Sequence, residues 1–101
     1  MDLGHGVTID DEALGVFCER HGVRRLAVFG SLTSSDFGAD SDVDVLVEFQ
    51  ADRIPGLIEL STMEMELEAV VGRRVDLRTL GDLSRYFRAE VAAEAREIYA
   101  A

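Results

Sequence analysis

Two hydrophobic periods follow one another along this chain, and their order sketches a fold. Leu14, Phe17, Cys18 and His21 stand at i, i+3, i+4 and i+7, one face of a helix. The acids Asp10-Asp11-Glu12 ahead of them suit the positive end of a helix dipole, and Gly22 is a stop signal. His21, at that helix end, reads as a cap or surface residue rather than a ligand. Residues 24–29 (RRLAVF) read as a strand that ends in Gly30-Ser31. Residues 42–49 (DVDVLVEF) switch to period two. Val43, Val45, Val47 and Phe49 share one face, and Asp42, Asp44, Leu46 and Glu48 share the other. Pro55-Gly56 breaks the pattern. Leu60, Met63, Leu67 and Val70 then mark a helix over 57–71, closed by Gly72. Its Glu59, Glu64, Glu66 and Glu68 are expected on a solvated face. Residues 73–78 (RRVDLR) form a third strand. A last helical region is expected from Gly81-Asp82 to Tyr99, with Phe87, Val91, Ala95 and Ile98 turned inward.

The order α, β, β, α, β, α in 101 residues predicts one domain over 1–101. Its class is α+β, a small mixed β-sheet with helices packed on one side. Apolar residues make up 48% and charged residues 30%, a globular composition with one modest core. Ten basic residues face twenty acidic ones, for a formal charge of −10, so direct nucleic-acid binding is not expected. All the basic residues are Arg, which excludes a Lys-dependent phosphate site or a Schiff base. Cys18 is alone, so it makes no internal disulfide, and it reads as a small hydrophobe. No apolar run is long enough for a membrane helix, and residues 1–6 do not resemble a leader peptide. A cytoplasmic location without membrane contact is the expectation.

The unusual chemistry sits at 30–47, GSLTSSDFGADSDVDVLV. Period two puts Asp42 and Asp44 on one face, roughly 7 Å apart along the strand. Like charges so placed repel unless a cation lies between them, and Asp is a poor strand former. A locally unfavourable choice of this kind is expected at functional sites. Asp76 stands between Val75 and Leu77, which would face the core, so Asp76 points the other way. If its strand neighbours that of Asp42, three hard oxygen donors converge, a set suited to Mg²⁺ or Mn²⁺. An acidic turn leading into an edge strand is the bland alternative. A calcium loop fails, because Val45 stands where Gly is required and Ala51 where Glu is. A P-loop fails for want of Lys. Gly30 permits close approach of the backbone to a ligand, and Ser31 offers a hydroxyl and an N–H to phosphate. The combination suits metal-assisted phosphoryl or nucleotidyl transfer.

Gly30-Ser31, then ten residues, then Asp42-x-Asp44 resembles the signature of the DNA polymerase β-like nucleotidyltransferases. The short chain resembles the minimal nucleotidyltransferases, in particular MntA-type antitoxins paired with HEPN ribonuclease toxins. The resemblance extends through Val75-Asp76-Leu77 to Leu83-Ser84-Arg85-Tyr86-Phe87. It implies the nucleotidyltransferase fold, with Asp42, Asp44 and Asp76 as metal-binding and catalytic acids. Gly30 and Ser31 would hold the nucleotide phosphates. The resemblance further implies that ATP is the substrate, Mg²⁺ or Mn²⁺ the cofactor, and a tyrosine of a HEPN-type toxin the acceptor. A hetero-oligomer with that toxin follows from it. Ser34-Ser35 depart from the Arg-Gly that many relatives carry there. Neutralisation by binding alone, and transfer to a small molecule, are the competing functions.

Overall fold

The computed structural model describes residues 1–30, 38, 41–82 and 85–101, with the backbone alone at 85–87 and 92. Asp10 caps the first helix, α1 (Asp11–His21), by accepting the Ala13 N–H at 3.3 Å. Leu14, Phe17 and Cys18 are buried on its inner face. Burial pushes the Cys18 thiol up to about 12, so it stays an inert hydrophobe as the sequence implied. Helix α2 (Leu57–Val71) buries Met63, Leu67 and Val71 against the same core.

His21 departs from its expected surface role. Its side chain is buried between the two helices, with Nδ1 3.2 Å from Glu59 and Nε2 2.7 Å from Glu66. Phe17 packs on the ring at a centroid distance of 5.1 Å. The position follows from the helical period, which turns residue i+7 to the same side as Leu14. Two Glu of the presumed solvated face of α2 are thereby engaged in docking α1.

Strands β3 (Val23–Phe29), β4 (Val43–Phe49), β5 (Val75–Arg78) and β6 (Arg96–Ala100) form one sheet in the order β5-β4-β3-β6. The pair β4–β5 is parallel; β3 runs antiparallel to both β4 and β6. The α2 crossover makes the parallel pair possible. Val23, Leu26 and Val28 of β3 and Val43, Val45 and Val47 of β4 pack with α1 and α2 on one face. The mixed sheet and α+β class match the sequence reading.

Two elements differ from it. Helix α3 (Arg85–Glu94) stops well short of Tyr99, and β6 follows. Strand β6 completes the open edge of β3, where Leu26 pairs with Tyr99 and Arg25 with Ala100. Ile98 is buried and Arg25 Nε donates to Glu97 at 2.9 Å. The 95–98 spacing fits a helix as well as a short strand, and only the free edge of β3 decides between them. The second difference is an N-terminal hairpin, β1 (Asp2–Gly4) and β2 (Val7–Thr8), which buries Leu3, Val7 and Ile9. Strands this short carry too few positions for a periodic signal.

Strand β5 is a sheet edge, and α2 satisfies it. The outward N–H groups of Val75 and Leu77 donate to Glu68 and Glu64, each at 3.0 Å. These two Glu, four apart on α2, replace the neighbouring strand that β5 lacks. Glu64→Ala with Glu68→Ala strands both donors and is expected to cost about 1–3 kcal/mol in urea unfolding. The Gln pair keeps an acceptor oxygen and should recover most of the loss. An equal loss in the Gln and Ala pairs would contradict this role.

Candidate active site

The sheet face opposite α1 and α2 carries the acids. Asp44 and Asp76 are direct register partners on the parallel strands β4 and β5. Partners on adjacent strands share a face about 5 Å apart, so Asp44 and Asp76 stand side by side on it, while the three-acid cluster with Asp42 that the sequence suggested is not gathered among the described residues. Asp44 is half-buried, and Asp76 keeps 36% of its side chain exposed. Asp42 is exposed, one residue ahead of β4. Arg73 braces this approach by donating to the carbonyls of Gly38 and Ser41 at 2.9 and 3.0 Å. The Val43 N–H then bonds Arg74 O at 2.8 Å, which sets the register of the two strands at the mouth.

Gly30 meets these acids from β3. Phe29 pairs with Asp44, so the chain turns at Gly30 beside that carboxylate. Gly30 has φ +68, the left-handed region, and a Cβ there would collide with Asp44 Oδ2 and come within 3.1 Å of its Cγ. Glycine is therefore required to leave space for the Asp44 carboxylate. Ser31, and Ser34-Ser35, lie outside the described residues.

Arg78 was not singled out by sequence reasoning. It stands two residues from Asp76, and therefore on the same face. Its Nε and Nη2 donate to the two oxygens of Asp76 at 2.9 and 3.1 Å. That hydrogen bonding holds the Arg78 pKa above its ordinary value, aided by the charges of Asp76, Asp82 and Asp44 and against some desolvation. The period-two rule that placed Asp42 with Asp44 could have placed Arg78 with Asp76.

Among the described residues, no three His, Cys, Asp or Glu side chains are gathered as a ready metal site. The donor chemistry nonetheless fits a hard divalent cation: carboxylate oxygens at a strand mouth, without sulfur or imidazole. Among the described residues, no helix is long and apolar enough to cross a membrane.

Comparison with known proteins adds to this geometry. The model of the nucleotidyltransferase domain family matches residues 11–99. The protein adenylyltransferase MntA of Thermococcus cleftensis is 49% identical over 59 residues, 58% of each chain. This chain thus spans under two thirds of that relative's length. A solved structure provisionally assigned as a minimal nucleotidyltransferase aligns with a TM-score of 0.69 and 36% identity, over 84% of this chain and 85% of the other. A toxin–antitoxin solved with AMP-PNP aligns with a TM-score of 0.72 at 16% identity, over 92% and 75%, a likeness of fold.

Proposed function

This chain belongs to the nucleotidyltransferase domain family, and we propose that it is an antitoxin that transfers AMP from ATP to a tyrosine hydroxyl of a HEPN-type toxin. The observation that carries the reading is the pairing of Asp44 with Asp76 on adjacent strands, beside the turn at Gly30. The similarity to an MntA adenylyltransferase supports the reaction type.

Asp42, Asp44 and Asp76 would hold Mg²⁺, which supplies charge neutralisation on the triphosphate as bonds change. Asp42 and Asp44 sit at the mouth of β4, where a triphosphate can approach without entering the core. Gly30 keeps the backbone clear of Asp44, and Ser31 is assigned to the phosphates. Asp76 accepts the proton of the attacking tyrosine hydroxyl. The tyrosine oxygen bonds the α-phosphorus, the bond to the β-phosphate breaks, and pyrophosphate leaves. Most of the rate in such a transfer comes from positioning and electrostatics.

Neutralisation by binding alone has one observation in its favour: Asp76 is already paired with Arg78. Position-labelled ATP separates the readings, with a candidate HEPN-type toxin as acceptor. Label on the α-phosphorus should enter the partner, and label on the γ-phosphorus should not. Label entering from the γ position, or from neither, would overturn the assignment.

A further inference from the structure

Both oxygens of Asp76 are occupied by one guanidinium, in the fork geometry that Arg presents to carboxylates. This matters because Asp76 is the acid assigned to the metal and to the tyrosine proton. A guanidinium and a divalent cation on the same two oxygens compete, because both draw on one carboxylate charge. Arg78 is 47% exposed and Asp76 36%, so the pair opens to solvent and is weakly held. No helix or loop need move for Arg78 to leave, because a long, exposed side chain turns about its own bonds. The acids Asp44 and Asp82 lie close enough to act on its charge. Arg78 is thus a solvent-accessible positive charge beside the acids of this face.

We propose that Arg78 is a placeholder for the metal: it neutralises Asp76 in the nucleotide-free protein and moves onto the phosphate oxygens when the metal–triphosphate binds. The proposal rests on the reading of Asp42, Asp44 and Asp76 as the metal site. Its consequence is a pair of effects with opposite sign. Removing the guanidinium frees Asp76 and leaves the face more negative, so a bare cation binds more tightly. The same change removes a phosphate contact, so the cation–nucleotide complex binds more weakly. A residue that merely braces β5 would weaken both.

The test titrates Mn²⁺ by electron paramagnetic resonance into the full chain, with and without AMP-PNP, and needs no turnover. Arg78→Gln is expected to bind Mn²⁺ alone about threefold to tenfold more tightly, and the Mn²⁺–AMP-PNP complex about tenfold more weakly. Arg78→Lys keeps the charge without the fork and should fall between the two proteins in both titrations. Thermal unfolding of each variant identifies any loss of fold. Shifts of the same sign in the two titrations, or no shift in either, overturn the proposal. Asp44→Asn tests the underlying site separately. If it abolishes Mn²⁺ binding while Arg78→Gln changes nothing, the metal site stands and the placeholder falls. If wild type binds Mn²⁺ in neither titration, both fall.

Discussion

Asp42→Asn with Asp44→Asn is expected to lower AMP transfer by about a thousandfold or more, because several kcal/mol of charge stabilisation are lost. The fold should survive. Asn keeps the size of Asp while removing its charge and turning one acceptor oxygen into an N–H donor, and Asp42 is exposed. Two like charges on one strand face repel, so the variant is expected to melt at or slightly above the wild-type temperature. The rate of label incorporation and a thermal melt on the same preparation check both halves. Transfer within tenfold of wild type would remove these two acids from the mechanism. A collapsed melt would make them structural.

Gly30→Ala is expected to damage both stability and transfer. At an ordinary position, Gly to Ala stabilises by about 0.4–1 kcal/mol through the unfolded chain. At Gly30 the added Cβ meets the Asp44 carboxylate, and φ is +68. The expected cost is about 2–4 kcal/mol, with transfer reduced at least about tenfold as Asp44 is displaced. Gly72 is the natural control. It too has a positive φ, +79, but among the described residues nothing beyond its own chain neighbours lies within 4 Å of an added Cβ. Gly72→Ala should therefore show backbone strain alone, about 1 kcal/mol, and normal transfer. Equal unfolding free energies for the two variants would remove the special tie between Gly30 and Asp44.

How far the sequence displays this site depends on range. Asp42 and Asp44 are legible because alternation within one strand is local. Asp76 is legible as an outward residue, and its pairing with Asp44 needs only that β4 and β5 be neighbours. Gly30 was read as room for a ligand. Its direct neighbour in the fold is the Asp44 carboxylate, a contact between two strands that spacing along one strand cannot show. Glu64 and Glu68 look like an exposed acidic face until β5 proves to be a sheet edge whose N–H groups need acceptors. Strand β6 is the clearest miss. Residues 96–100 pair with β3, more than sixty positions earlier in the chain, and nothing local favours that over one more helical turn. Arg78 differs, since its two-residue offset from Asp76 was visible all along.

On the proposed reading, Asp42, Asp44 and Asp76 move AMP onto a partner protein. The most direct test of that transfer is the intact mass of a candidate HEPN-type toxin after incubation with this chain, ATP and Mg²⁺. With the wild-type chain, the toxin should gain whole AMP units and lose its ribonuclease activity; with Asp42→Asn and Asp44→Asn together it should gain none and stay active. An unchanged toxin mass alongside full neutralisation by both proteins would contradict the account and make the chain a binding antitoxin.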